Sequence, residues 1–277
     1  SKLIKDLTEI PYVVTAHGTG IISSLENVRN FRIAKVGLEE ASFVMANSKY
    51  TMTMIKRHFR IKRSKLKVVY LGLNTRMFKK VDENQIMKVK KRYKCLDKKI
   101  VFSTGYFEER KGFQDLIKAA SIYEQRSEKI CTLIAGRGPF YREMKLLIKK
   151  LGLKRTRIIG WVSRKELIRL YSAADIVVVP SRWDEPFGMV ALEALACGTP
   201  VIATNTGGLK EIVNRRVGDL VEPGNPEKLA EAILCRIFDK DWLEKRGNNG
   251  RNYVVSKFSK ERMCRQIEEI YKKVVGV

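Results

Sequence analysis

The fold is decided by the stretch from Asp175 to Ala203, which reads DIVVVPSRWDEPFGMVALEALACGTPVIA. A β-branched run is followed by a loop rich in proline and glycine, then by an apolar helical pattern and a second β-branched run. The order strand, loop, helix, strand predicts a right-handed βαβ unit, in which a helix covers two parallel strands. The stretch therefore indicates an α/β protein built on a parallel sheet.

The same alternation continues upstream of this stretch. Three more strands are predicted, at Ile100–Ser103, Ile130–Ala135 and Arg157–Ile159. They alternate with helical patterns at Gly112–Arg126, Tyr141–Lys150 and Ser163–Ala173. We therefore predict that residues 98–255 form one doubly wound domain, whose ligands bind at the carboxyl ends of the strands.

The first 80 residues show a weaker form of this pattern. Strands are predicted at Tyr12–Ala16, Phe43–Ala46 and Lys67–Tyr70, with helices between them. Because three strands make about half of a doubly wound domain, we expect residues 1–80 to be an incomplete Rossmann-like domain that lacks its first part. Residues 81–97 are predicted to form a charged helical linker, and residues 256–277 a closing amphipathic helix.

The charge of the chain is strongly positive. Its 277 residues carry a formal net charge of +25, and residues 56–67 contain seven Lys and Arg side chains with no acidic residue. Such a field attracts polyanions, which include nucleotide phosphates, an anionic membrane surface and nucleic acid. A lysine-rich surface that only keeps the protein soluble is an equally weighted alternative. The absence of zinc-finger, helix-turn-helix and RNA-binding aromatic patterns argues against nucleic acid.

Apolar runs and cysteine spacing indicate the cellular compartment of the protein. No apolar run approaches the roughly 18 residues of a membrane-spanning helix, and no signal-peptide pattern opens the sequence. The five cysteines are scattered without a CxxC pair, which favours free thiols and argues against a metal site. We expect a cytoplasmic protein that binds at most peripherally to a membrane.

Two carboxylates in the opening stretch point to a ligand. Gly188 begins a helix whose first free N–H groups, at Met189 and Val190, can bind a phosphate. Glu193 lies one turn into this helix and can accept two hydrogen bonds from a vicinal diol such as ribose, while Glu185 lies in the loop before it. The simpler alternative is a helix start with acidic residues that stabilise it. The strand–loop–helix context favours the binding site.

The run from Glu185 to Glu193, EPFGMVALE, resembles the E-x7-E motif of the family 4 retaining glycosyltransferases. These enzymes have the GT-B architecture of two Rossmann-like domains. Other segments resemble the family in the right order along nearly the whole chain: Pro11–Gly18, Leu71–Asn74, Ser103–Ala120, Leu133–Pro139, Ile158–Val162 and Gly207–Ile212.

The resemblance implies an activity and its participants. The chain would move a hexose from a nucleoside diphosphate sugar to a sugar or lipid-linked acceptor, with retention and without a metal or resident cofactor. Lys111 would bind the diphosphate, Glu193 the ribose and Glu185 the hydroxyls near the reacting carbon, with His17 on the acceptor side. The departing diphosphate would take the acceptor's proton. By the same resemblance, the predicted catalytic residues are Glu185, Lys111 and His17.

The resemblance also defines a donor-binding set. Its members are Gly105, Arg110, Lys111, Gly136, Gly160, Trp161, Val162, Glu185, Phe187, Gly188, Met189, Val190 and Glu193. The family has an arginine where this chain has Tyr106, and the adjacent Arg110 is a candidate substitute. Trp183 could form a wall of the site or pack structurally. A donor-binding fragment without activity, a nucleotide-sugar 2-epimerase and a basic nucleic-acid binder remain alternatives.

Overall fold

The computed structural model describes residues 2–276, and side chains from residue 5 onward. The chain divides into two compact units. The first combines residues 1–72 with residues 257–277, and the second contains residues 73–256. Both units are built from parallel strands joined by helices.

The elements follow one another in a regular order. The first part contains α1 (Lys2–Thr8), β1 (Val13–Ala16), α2 (Thr19–Leu25), α3 (Val28–Glu39), β2 (Phe43–Ala46), α4 (Lys49–His58) and β3 (Leu66–Val68). The second unit contains α5 (Glu83–Arg92), β4 (Lys99–Tyr106), α6 (Phe113–Arg126), β5 (Ile130–Arg137), α7 (Tyr141–Lys150), β6 (Thr156–Gly160), α8 (Arg164–Ala173), β7 (Ile176–Val179), α9 (Met189–Ala196), β8 (Val201–Thr204), α10 (Leu209–Ile212), β9 (Gly218–Val221), α11 (Pro226–Arg236) and α12 (Lys240–Lys257). The last helix is α13 (Lys260–Val275).

The second unit contains a six-stranded parallel sheet in the order β6-β5-β4-β7-β8-β9. The chain builds outward from β4 to β6, then returns to place β7 on the other side of β4. Helices cover both faces of the sheet, because Val101 packs towards α6 while its neighbour Phe102 stacks edge-on against Tyr171 of α8. The strand order reverses between β4 and β7, and this crevice is where doubly wound sheets bind ligands.

The first unit has a smaller parallel sheet in the order β1-β2-β3. Every residue of the central strand β2 is buried. Its residues Val44 and Ala46 join a core with Ile55 of α4, while Phe43 packs with Ile270 of α13 on the opposite face. The C-terminal helix therefore completes the core of the first unit, as its apolar stripe predicts.

The unit boundaries correct the predicted domains. The supposed linker, residues 81–97, lies in the second unit, where Ile86 and Val89 of α5 are buried against α8. Residues 73–80 also belong there, because the Arg251 guanidinium donates to the carbonyls of Thr75 and Phe78 at 2.9 and 2.6 Å. The charged composition of α5 concealed two buried apolar positions. The chain therefore passes from one unit to the other between residues 72 and 73 and between residues 256 and 257, rather than at 80/81 and 255/256.

All eight strands expected from the sequence are present within a few residues of their predicted ends. The ninth strand, β9, was missed, because GDLV is short and begins with a glycine and an acid. It completes the sixth position of the larger sheet. Within residues 2–276, no helix has the length and apolarity to cross a membrane.

Candidate functional site

Two loops cross tightly where the strand order reverses. The loop after β4 runs from Phe107 to Gly112, and the backbone N–H of Arg182, in the loop after β7, donates to the Arg110 carbonyl at 2.9 Å. Gly112 has a φ of +73°, and a Cβ added there would lie 1.8 Å from the Pro180 carbonyl oxygen. Only glycine fits this crossing, since the conformation is left-handed and the backbones are in contact. The crossing aligns the residues on either side of it.

The crossing brings Lys111 and Glu185 together. The Lys111 Nζ lies 2.7 Å from Glu185 Oε2, and the two side chains are only 23% and 16% exposed. Glu185 Oε2 also accepts from the Ser181 hydroxyl at 3.2 Å and from the Trp183 indole N–H at 3.1 Å. All three contacts use Oε2, so Oε1 remains to accept a hydrogen bond from a ligand.

The adjacent glycines Gly207 and Gly208 hold the backbone of the loop that contains Glu185. The Gly207 N–H donates to Asp184 Oδ1 at 3.0 Å, and the Gly208 N–H donates to the Glu185 carbonyl at 2.6 Å. A Cβ at Gly207 would lie 2.3 Å from the same carbonyl oxygen. The Gly207–Gly208 turn thus fixes the backbone of the loop.

Helix α9 begins directly after this loop. Gly188 caps it with a φ of +113°, and its carbonyl accepts from the N–H groups of Ala191 and Leu192. The N–H groups of Met189 and Val190 precede these bonds and have no carbonyl of the helix to reach. Free N–H groups at a helix start, together with the helix dipole, are able to bind an anion. The buried Phe187 holds the start of the helix against the core.

Glu193 has very different surroundings from Glu185. Its Oε2 accepts from the Tyr171 hydroxyl at 2.8 Å. Burial raises the pKa of Glu193, while the Tyr171 hydrogen bond and the charge of Arg164 lower it in part. Burial and the neighbouring Glu193 charge also raise the pKa of Tyr171 well above its ordinary value.

The remaining residues that the sequence predicted to bind the donor lie, in the second unit, at the carboxyl ends of three adjacent strands. Gly105 of β4 and Gly136 of β5 are register partners, and Gly160 ends β6 with a φ of +75°. Trp161 follows with 67% of its surface exposed, and Val162 is half-buried. The structure thus brings these predicted positions to one edge of the sheet, the edge that carries Lys111 and Glu185.

Arg110 is placed by the same crossing. Its guanidinium carbon lies 3.8 Å from the centre of the Trp183 ring, and its Nε donates to Glu108. Lys111 Nζ lies 5.2 Å from the same ring. Two cations therefore share one indole beside Glu185, which is the arrangement a cation–π contact favours.

His17 lies in the first unit. It directly follows β1, its side chain is exposed, and its carbonyl accepts from the Asn47 side-chain amide at 3.0 Å. Parallel sheets bind ligands at the carboxyl ends of their strands, and His17 lies at such an end. Its role in catalysis stays a prediction.

Sequence reasoning missed two residues that hold the carboxylates. Ser181 follows β7 directly, so its place after a buried strand was an available signal. Tyr171 lies 22 residues before Glu193 on a different helix, and no local pattern connects the two. Trp183, whose role was open, contacts Glu185, Arg110 and Lys111. Over the part of the chain that the structure describes, no three His, Cys, Asp or Glu side chains gather as a metal site would require.

The fold agrees with comparisons to known proteins. The chain belongs to the glycosyl transferases group 1 family, whose sequence profile matches residues 76–253. Residues 2–76 match the profile of Glycosyltransferase Family 4. It is a glycosyltransferase of the GT-B class with Rossmann-like domains, and the family resemblance inferred from the sequence is confirmed.

Individual relatives support this assignment. An uncharacterized glycosyltransferase of Methanocaldococcus jannaschii is 30% identical over 97% of this chain and 71% of its own length. The N-acetyl-alpha-D-glucosaminyl L-malate synthase of Bacillus anthracis is 29% identical over 95% of this chain and 68% of its own. The crystal structure of Anabaena HepE in complex with UDP and glucose superposes with a TM-score of 0.87 at 27% identity, over 97% of this chain and 73% of that one.

Proposed function

We propose that the chain is a retaining hexosyltransferase that uses a nucleoside diphosphate sugar, with a UDP-sugar as the first donor to test. The observation that carries this proposal is the 2.7 Å contact between Lys111 and Glu185 at the reversal of the strand order. A cation and a carboxylate on one crevice can hold a diphosphate and a sugar hydroxyl side by side. The similarity to HepE, which was crystallised with UDP and glucose, supports the choice of UDP.

Each proposed role follows from a contact. Lys111 has three N–H donors, so it can bind Glu185 and a phosphate oxygen together. The N–H groups of Met189 and Val190 add donors for the same diphosphate. Glu193 has Oε1 available for the ribose hydroxyls, since Tyr171 donates to Oε2. The backbone at Gly160, Trp161 and Val162 would contact the base.

In the proposed chemistry, a group of the donor substrate, and not a protein side chain, takes the proton of the acceptor. A retaining mechanism through a covalent intermediate uses two carboxyl groups about 5 Å apart on either side of the reacting carbon. Asp184, next to Glu185, accepts from the Gly207 backbone and thus supports the loop. We therefore infer front-face substitution, in which the departing diphosphate takes the acceptor's proton while Lys111 and the α9 N–H groups stabilise its growing charge. We propose that no metal takes part, and activity that persists in a chelator would support this.

A nucleotide panel tests the proposal. UDP, GDP and ADP are added to the chain, and their effect on the melting temperature is compared, because a ligand that binds the folded state stabilises it. Transfer and hydrolysis of the matching hexose donors are then measured. Stabilisation with turnover and an α-linked product supports the proposal. Inversion at the anomeric carbon, or no stabilisation by any of the three, contradicts it.

The same assays separate the alternatives. Nucleotide binding without turnover would identify a donor-binding fragment. Interconversion of the donor at the sugar C2 without transfer would identify a 2-epimerase. Tight binding of oligonucleotides without nucleotide-sugar binding would identify a nucleic-acid binder, which the family membership opposes.

We also propose peripheral contact with an anionic membrane through the first unit. Its outward face on α3 combines the exposed apolar side chains of Ile33 and Val36 with the exposed cations Arg29 and Arg32. The basic run at residues 56–67 adds positive charge to the same unit. Apolar side chains among cations are typical of surfaces that bind lipid headgroups. Sedimentation with anionic vesicles should fall as salt rises, and equal sedimentation with neutral vesicles would contradict the proposal.

A further inference from the structure

The diphosphate subsite lacks one expected cation. A diphosphate spreads its charge over several oxygens, and a guanidinium binds two of them at once, which a lone lysine cannot do. At the position where the resemblance expects an arginine, β4 ends with Tyr106, which is 53% exposed and supplies no cation. Two arginines lie close to this position. Arg110 precedes Lys111 in the chain, and Arg137 is the register partner of Tyr106 on β5.

Arg110 has a defined orientation. Its guanidinium carbon lies over the Trp183 ring, 3.8 Å from the ring centre, and Glu108 accepts from Nε. The contact to Glu108 leaves the two terminal NH2 groups as a bidentate pair. The Arg110 carbonyl is itself fixed by the Arg182 N–H at 2.9 Å. Both the backbone and the side chain of Arg110 are therefore held before any ligand arrives, which lowers the entropy cost of binding.

Trp183 uses its two chemically distinct parts at once. The edge of the indole donates its N–H to Glu185 Oε2 at 3.1 Å. The electron-rich face receives Arg110 at 3.8 Å and Lys111 at 5.2 Å. The edge and the face of an aromatic ring carry opposite partial charges, so one side chain can orient a carboxylate and a cation together.

We infer that Trp183 is a positioning residue for both halves of the donor, and that Arg110 supplies the second cation of the diphosphate subsite in place of Tyr106. The N–H of Trp183 orients Glu185 towards the sugar, and its ring orients Arg110 towards the diphosphate. This inference rests on the proposed function, because it assumes a nucleoside diphosphate sugar at this edge.

The two parts of Trp183 can be removed separately. Trp183→Phe keeps a ring face and removes the N–H donor, whereas Trp183→Leu removes both. Calorimetry then compares two probes, the nucleoside diphosphate that binds the wild type most tightly among UDP, GDP and ADP, and its glucose conjugate. We expect Trp183→Phe to weaken the glucose conjugate about 5-fold, the value of one lost hydrogen bond, and the diphosphate less than about 2-fold.

Trp183→Leu should weaken both probes, with a further loss of about 3-fold or more for the diphosphate because the cation–π contact is gone. A residue that only stabilises the fold would not separate the two probes in this way. If Trp183→Phe and Trp183→Leu bind both probes as the wild type does, or lose both probes in equal proportion, the positioning role is wrong. Circular dichroism at the assay temperature verifies that each variant is folded.

The second cation is tested with a rescue. Arg110→Ala should weaken the diphosphate about 10-fold, as expected for a charge-assisted contact, and adding Tyr106→Arg to that variant should restore most of the affinity. Arg126→Ala, at the exposed end of α6, serves as the charge control and should bind normally. If Arg137→Ala weakens the diphosphate and Arg110→Ala does not, the second cation is Arg137 and the inference is overturned.

Failure of the proposed function gives a different result. A wild-type chain that binds none of the three nucleoside diphosphates overturns both the function and this inference. A wild-type chain that binds and distinguishes them, with variants that do not differ from it, overturns this inference alone.

Discussion

The loop from Pro180 to Phe187 carries one carboxylate of the motif, and the helix α9 that follows it carries the other. The hydrogen bonds and charges around these two carboxylates differ. Glu185 accepts hydrogen bonds from a cation, a hydroxyl and an indole on one oxygen. Glu193 accepts one hydrogen bond, from Tyr171, and burial raises its pKa. Seven residues of sequence lie between these two identical side chains, which have different electrostatic surroundings.

The difference indicates what each carboxylate is suited to do. Glu185 lies beside Lys111 and Arg110, where a negative leaving group would need stabilisation, so its contacts bear on the reacting centre. Burial raises the pKa of Glu193, and its remaining oxygen suits neutral hydroxyl donors such as those of a ribose. Under the proposed function, the motif therefore combines a charge-compensated carboxylate for chemistry with a desolvated carboxylate for binding.

The largest effect is expected at the Lys111–Glu185 contact. Lys111→Ala should lower kcat by about 100-fold or more, because the growing charge on the diphosphate loses its cation. Turnover of the preferred donor is the measurement. Lys118→Ala, an exposed lysine on α6, is the matched control and should leave kcat unchanged. A loss below about 3-fold in Lys111→Ala would mean that this contact has no catalytic role.

The loop crossing itself can be broken at Gly112. Gly112→Ala places a Cβ 1.8 Å from the Pro180 oxygen in a left-handed conformation, so the free energy of unfolding should fall by about 2–4 kcal/mol. Gly152→Ala is the matched control, since Gly152 has a φ of +62° and no atom within 4 Å of the added Cβ. It should cost only about 1 kcal/mol. Urea unfolding of both variants measures the difference, and equal losses would refute the steric argument.

Exchanging each carboxylate for an amide sharpens the contrast between the two. Glu193→Gln should weaken the nucleoside diphosphate about 10-fold with kcat at saturation nearly unchanged, because an amide keeps only one acceptor for the ribose. Glu185→Gln should lower kcat while the diphosphate affinity stays within about 2-fold. Calorimetry and turnover are measured on both, with Glu244→Gln on the exposed face of α12 as control. If the two variants behave alike, the division of roles is wrong.

The smallest expected effect is on how the melting temperature depends on pH. The folded state raises the pKa of Glu193 above its ordinary 4.5, so its contribution to stability is present below that pH and is lost as pH rises through the folded pKa. Glu193→Gln should therefore gain in melting temperature relative to the wild type as pH rises above 4.5. The gain should be a few degrees at most, since about 1 kcal/mol moves the melting temperature by about 2–4 °C in a unit of this size.

The opposite sign provides the control for this measurement. Hydrogen bonding to Lys272 lowers the pKa of the exposed Glu268, so its small contribution is present above 4.5 and is lost as pH falls. Glu268→Gln should therefore show no gain as pH rises. A Glu193→Gln gain that shrinks with rising pH would contradict the burial argument.

The sequence by itself determined the local elements and the order of the motifs. Alternating strand and helix patterns predicted the parallel sheets, and the run from Glu185 to Glu193 predicted the strand, loop and helix where they occur. Local patterns are sufficient here because side-chain periodicity and turn residues act over a few positions. The same local view produced the errors at residues 81–97 and at β9, where a charged helix hides buried positions and a strand has little apolar character.

Only the tertiary structure decided which distant residues meet. Lys111 and Glu185 are 74 positions apart, and they come together because β7 returns to pair with β4 after the chain has passed through β5 and β6. The partners Tyr171 and Trp183 likewise acquire their roles from packing between elements. Parallel strands pair without regard to their distance along the chain, so the crevice and its electrostatics arise from the order of the sheet and not from any single segment.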